Sequence, residues 1–176
     1  MSAFSPRMIA VQQGRHEVSR DPEVTLSAVL GSCVAACLYD PERGIGGMNH
    51  YLLPAAVNGT GEERKYGAQA MELLVNALLR AGARRESLQA KIFGGATLST
   101  GFDGIGRANA EFGRTFLRLE GFEIRAESLG GRHARRITFH PASGRARQLI
   151  VPNADLDQSL PPRPRPERAE GGVTLF

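Results

Sequence analysis

The stretch TLSAVLGSCVAACLYDPERGIGGMNHYLLP, residues 25–54, decides how this chain is read. It opens on a run rich in Val, Leu and Thr, breaks at Gly31-Ser32, and resumes as CVAACLYD. Pro41-Glu42-Arg43-Gly44 then interrupts before IGGMNHYLL. Two apolar runs around a four-residue Pro/Gly loop predict a β-hairpin, although the Ala-rich CVAAC is also compatible with a helical turn. If Asp40 and Ile45 close that hairpin, His50 falls opposite Ala35, and the two-residue period of a strand puts Ala35 on the face of Cys33. Cys33 and His50 then become diagonal cross-strand neighbours, with Cα atoms roughly 7–8 Å apart and side chains able to meet.

Outward from this centre, residues 8–12 (MIAVQ) and 23–30 (EVTLSAVL) read as strands separated by the polar segment GRHEVSRDP. Tyr66, Ala70, Leu73, Leu74, Ala77, Leu78 and Ala81 recur at helical spacing, and Gly82 stops that helix. LQAKIF, residues 88–93, is a strand running into Gly94-Gly95. Ile105, Ala108, Phe112, Phe116 and Leu119 form one face of a second helix ended by Gly121. Strands follow at about 122–128, 134–140 and 145–151. Elements of both kinds, interleaved, place the chain in the α/β (α+β) class.

A chain of 176 residues with 41% hydrophobic content can build one core. The expected division is a single domain over 1–153 and a Pro/Arg-rich, disordered tail over 154–176, where LPPRPRPERAEGG offers little to bury. The tail ends on the apolar Val173-Thr174-Leu175-Phe176. No apolar run approaches the roughly 20 residues of a membrane span, and the N-terminus has no secretory h-region, so a cytoplasmic protein without membrane insertion is expected. In that compartment Cys33 and Cys37 are free thiols. The net charge of +4 comes almost wholly from arginine and suits an acidic partner. Aromatics at 6% and no paired stacking aromatics argue against nucleic acid.

A Cys-His pair is chemically meaningful because the thiolate is the nucleophile: a nearby imidazolium lowers the thiol pKa from its free value of about 8.5 and then protonates the departing amine. Acyl transfer also needs donors for the developing oxyanion. Gly31, Ser32, Gly94 and Gly95 are the candidates, their small side chains leaving the backbone open. On spacing alone the pair remains compatible with an inert core cysteine near a histidine. Cys37 shares the face of Cys33 and reads as core. FGGATL lacks the Lys of a P-loop and the spacing of a dinucleotide fingerprint. His133 and His140, seven apart without cysteine or acidic partners, make a poor metal site.

The 25–54 run resembles the signature of the CheD family of chemoreceptor glutamine deamidases. KIFGGA (91–96), IGRAN (105–109) and LGG…RRITFHPASGR (129–145) are similar to further family segments in the same order. The resemblance covers about residues 5–152. It implies a layered sandwich of mixed β-sheets with flanking helices, akin to the deamidase toxins of the cytotoxic necrotising factor group. It also implies a catalytic pair at Cys33 and His50 and an orienting hydroxyl six residues before the cysteine, which is Ser27 here where the family carries threonine. Thr25 shares that strand face. Ser128 stands where the family usually has an acid.

The implied reaction is hydrolysis of receptor glutamine side chains to glutamate through a cysteine thioester, with glutamyl methylesterase side activity and no metal or organic cofactor. Methyl-accepting chemotaxis receptors, through their acidic cytoplasmic helical bundle, are the implied partners. Arg132, Arg135 and Arg136, with Arg145 and Arg147, are the candidate basic face. A CheC-type phosphatase is a second implied partner. The rival reading within the family is a non-catalytic adaptor binding receptors and that phosphatase.

Overall fold

The computed structural model describes residues 6–54, 61–98, 104–152 and 173–176. The 25–54 run forms β3 (Val24–Leu30), β4 (Val34–Asp40) and β5 (Ile45–His50). The expected hairpin is present, with Asp40 opposite Ile45 and Cys37 opposite Met48. Every residue of β4 is buried. The reason is that β4 is covered on both faces: Val34, Ala36 and Leu38 enter one apolar cluster, while Ala35, Cys37 and Tyr39 enter another. Alanine and cysteine at these positions let neighbouring layers approach, which explains an Ala-rich strand that also resembles a helical turn.

Around it lie β1 (Arg7–Ala10), β2 (Arg15–Ser19), β6 (Gln89–Gly94), β7 (Glu123–Leu129), β8 (Ala134–His140), β9 (Arg145–Val151) and β10 (Val173–Leu175). They form two mixed five-stranded sheets, ordered β1-β3-β8-β9-β10 and β2-β5-β4-β6-β7. The helices α1 (Glu62–Arg80) and α2 (Ile105–Leu119) pack on the second sheet. The molecule therefore has three layers: sheet, sheet, helices. Met71, Leu74 and Leu78 of α1 and Leu117 of α2 fill the sheet–helix core, whereas Leu26 and Leu30 of β3, Ile137 and Phe139 of β8, Met48 and Phe93 fill the core between the sheets. This is the layered α+β sandwich that the sequence implied.

Two elements differ from expectation. The segment read as a polar connector contains β2, an edge strand antiparallel to β5. Its alternation is faint because an edge strand buries little, so polar Arg15 and Glu17 face out while Val18 reaches the core. The chain end, assigned to a disordered tail, is β10 at its tip: Val173 pairs with Leu149 and Leu175 with Arg147. The Phe176 ring stacks edge-on against Phe93 with centroids 5.3 Å apart. Non-local partners supply an order that local composition does not signal. Residues 154–172, the rest of that expected tail, lie outside the described residues.

The hairpin turn is held by Asp40, itself fully buried. One carboxylate oxygen accepts from the N–H groups of Glu42 and Arg43, and the other accepts from that of Arg84 at 2.8 Å. No helix among the described residues is long and apolar enough to cross a membrane.

Candidate active site around Cys33 and His50

The hairpin register fixes where His50 points. Asp40 opposite Ile45 continues to the bridge between Val34 and Tyr51, so Ala35 lies across from His50. Ala35 belongs to the cluster between the sheets, and half-buried Cys33 packs against the same cluster. Thiol and imidazole are therefore on one face at one end of the sheet.

His50 is buried, and its Nδ1 lies 3.0 Å from the Val11 carbonyl oxygen. A carbonyl only accepts, so Nδ1 carries the proton and Nε2 keeps a bare lone pair. Nε2 is buried and has no partner among the described residues. Burial lowers the His50 pKa, with the Val11 bond acting the other way. Burial thus favours the neutral ring, which the Val11 carbonyl holds in one orientation. Burial likewise raises the Cys33 thiol above its ordinary range, offset in part by its own backbone N–H. Both directions favour a neutral thiol and a neutral imidazole over the imidazolium-paired thiolate expected from the sequence. In this resting state the thiol donates to Gln13 Oε1 at 3.3 Å.

The segment carrying Val11 and Gln13 is fastened to both partners. The Gly14 N–H donates to the His50 carbonyl at 2.7 Å, and the Val11 N–H donates to the Ser27 carbonyl at 2.8 Å. Among the described residues it is the Val11 carbonyl, and not the Ser27 hydroxyl, that bonds the His50 ring. Ser27 alternates with the core residues Leu26 and Ala28 along β3, and its main-chain carbonyl holds the Val11 N–H. It does share a cleft of about 280 Å³ with His50, Gln12, Val29 and Arg136; Cys33 is not part of that lining.

The turn bearing Cys33 is held from three sides. The Ala96 N–H donates to the Gly31 carbonyl at 2.9 Å, the Gly95 N–H to the Cys33 carbonyl at 2.8 Å, and Asn109 Nδ2 to the Ser32 carbonyl at 2.8 Å. Gly94 has φ +115°, and a Cβ there would overlap the Cys33 carbonyl, so only glycine fits. Gly94 and Gly95 therefore support the turn. The N–H of Gly95, a candidate oxyanion donor, is already engaged by the Cys33 carbonyl. The Ser32 N–H meets no acceptor among the described residues and stays available.

Of the basic candidates, Arg132 and Arg136 are exposed, and Arg136 lines the His50 cleft. Arg135 is 4% exposed and cannot face a receptor. Its guanidinium donates to the Ser128 carbonyl and hydroxyl and to the Gly130 carbonyl, clamping the turn between β7 and β8. Ser128 thus offers a neutral acceptor to that clamp. Cys37 is fully buried, and burial raises its thiol strongly, so it is no rival nucleophile. His140 bonds the Ser143 hydroxyl and the Pro22 carbonyl. No cluster of metal-ligating side chains occurs among the described residues.

Three participants escaped the sequence. Val11 acts through its carbonyl, which leaves no side-chain signature. Gln13 sits in a polar turn like any other. Asn109 lay within the IGRAN segment, but its reach to Ser32 requires the packing of α2 on β4 and β6.

A family model described as CheD chemotactic sensory transduction matches residues 52–148. The probable chemoreceptor glutamine deamidase CheD of Caulobacter vibrioides (strain NA1000 / CB15N) is 52% identical over 173 residues, covering 96% of this chain and 92% of that protein. That of Acidiphilium cryptum (strain JF-5) is 50% identical over 188 residues, covering 100% and 98%. Among solved structures, the hypothetical protein YfiH of Bacillus licheniformis is 15% identical with a TM-score of 0.41, covering 71% of this chain and 60% of that one.

Proposed function

The chain belongs to the CheD family, and from that premise we propose that it hydrolyses glutamine side chains on methyl-accepting chemotaxis receptors to glutamate, with Cys33 as nucleophile and His50 as base. The observation that carries this reading is the His50 ring itself, with Nδ1 tied to the Val11 carbonyl and an unpartnered Nε2 on the face that holds the Cys33 thiol.

In this scheme Nε2 takes the thiol proton as Cys33 Sγ attacks the δ-carbonyl of the glutamine, and the carbonyl oxygen becomes the oxyanion. The intermediate collapses with the C–N bond breaking, and the imidazolium proton goes to the leaving nitrogen, which departs as ammonia. Water, deprotonated by His50, attacks the thioester carbonyl. The C–S bond breaks, glutamate is released and the thiol regains its proton. A glutamyl methyl ester enters the same path with methanol leaving, which is the expected side reaction. No step calls on a metal or organic cofactor.

Exposed Arg132 and Arg136 are the residues that would meet an acidic helical bundle, Arg136 from the rim of the His50 cleft. Such a substrate would place the protein in the cytoplasm. Binding of a CheC-type phosphatase would be a separable property that loss of the thiol leaves intact. The test is incubation with a receptor cytoplasmic fragment and mass-spectrometric detection of Gln-to-Glu conversion, with Cys33→Ala and His50→Ala in parallel. Conversion by the wild type alone is expected; equal conversion by Cys33→Ala refutes the mechanism.

A further inference from the structure

Of all side chains outside the Cys33–His50 pair, only Gln13 is hydrogen-bonded to the nucleophile among the described residues: its carboxamide lies 3.3 Å from Cys33 Sγ. No core packing explains that contact. Gln13 is exposed, in the turn linking β1 to β2, and could have pointed to solvent. The turn is nonetheless fixed against the site, because Val11 on one side holds the His50 ring and Gly14 on the other donates to the His50 carbonyl. Gln13 is thus carried by the segment that orients the base.

We propose that the Gln13 carboxamide is a catalytic oxyanion donor, acting with the backbone N–H of Cys33 or Ser32. The inference rests on the deamidation mechanism proposed above and adds the group that steadies its charge. Three observations carry it. The two ends of a carboxamide are distinguished only by hydrogen bonding, and a half-turn about the last bond exchanges the Oε1 that accepts the thiol hydrogen bond for an NH2 donor. Once the thiol has lost its proton, the sulfur no longer donates, and the amide turns its N–H towards the developing negative charge. Second, a donor about 3.3 Å from the sulfur is placed well, because the oxyanion forms on the carbon bonded to that sulfur and needs donors roughly 2.7–3.1 Å away. Third, other backbone donors near the thiol are engaged: those of Gly95 and Ala96 hold the carbonyls of Cys33 and Gly31. The Cys33 N–H faces its own sulfur and the Ser32 N–H is unpaired among the described residues, leaving a place for a second donor that Gln13 fills.

Gln13→Met keeps the length of the side chain and removes both donors. On a receptor cytoplasmic fragment it should lower kcat on the order of 10²-fold while KM changes little. Alkylation of Cys33 by iodoacetamide supplies the second readout, because displacement of iodide builds no oxyanion. Gln13→Met should alkylate at the wild-type rate, whereas His50→Ala should not. Three results on Gln13 itself overturn the inference. Wild-type turnover by Gln13→Met with Cys33→Ala inactive removes Gln13 alone. A joint fall of alkylation and kcat makes Gln13 a structural support of the thiol. Conversion of Gln13 to Glu in the wild type but not in Cys33→Ala makes it a tethered substrate. Full activity of Cys33→Ala would remove the inference together with the thiol mechanism.

Discussion

At the scale of single residues, the proposed chemistry starts from two groups that burial favours in their neutral forms. Burial lowers the His50 pKa from about 6.5 and raises that of the Cys33 thiol. Protonating His50 removes the base, so activity should fall on the acid side only below the ordinary histidine value. Ionising Cys33 in advance leaves no proton for the departing ammonia, so the alkaline fall should come above the ordinary thiol value. The expected kcat/KM profile is a plateau across neutral pH; a maximum confined to acid conditions would instead indicate a preformed thiolate–imidazolium pair. The hairpin register behind the proposed pair was legible in the sequence because an even loop puts Cys33 and His50 on one face, and the Asp40–Ile45 closure is present. The bond to the His50 ring was not legible. Ser27 lies at the spacing where a hydroxyl was expected, yet the group that bonds the ring is the carbonyl of Val11, 39 residues earlier in sequence.

At the scale of elements, α2 is bound to the site by one residue. Asn109 is fully buried; its Oδ1 accepts from the Leu53 N–H at 2.9 Å, and its Nδ2 donates to the Ser32 carbonyl at 2.8 Å. Its main-chain carbonyl also accepts from the Tyr51 hydroxyl at 2.8 Å. Asn109→Ala should orphan two polar groups at about 1–3 kcal/mol each, lowering the denaturation midpoint and kcat together. Asn109→Asp separates the two effects: it retains the acceptor for Leu53 but sets an oxygen against the Ser32 carbonyl. Equal midpoint and kcat in Asn109→Ala and the wild type would show that the turn holds without α2. Both helices were readable because each buries a stripe at helical spacing. The edge strand β2 was not, since only Val18 of its five residues reaches the sheet–helix core.

At the scale of the whole molecule, the two sheets are joined at opposite margins. On one side the chain passes from β1 of the first sheet to β2 of the second through the turn that carries Val11 and Gln13. On the other, the chain end closes over the inter-sheet core. The Phe176 N–H donates to the Ala146 carbonyl at 3.0 Å, and Lys91 Nζ donates to the Phe176 and Gly144 carbonyls at 2.8 and 2.7 Å. Lys91 is 8% exposed, and burial lowers its pKa, so these acceptors take the place of water around its ammonium group. Phe176→Ala should cost about 1–2 kcal/mol, from lost contact with Phe93 and partial loss of buried area. Deleting residues 173–176 should cost more, because it also strips Lys91 of an acceptor and uncovers the edge of β9. The check is the urea midpoint of both variants beside Lys91→Met, which needs no acceptor. If the deletion is much less damaging in the Lys91→Met background, the chain end serves chiefly to solvate a buried charge. If the losses simply add, its contribution is the apolar contact with Phe93, and the two sheets are held by packing alone.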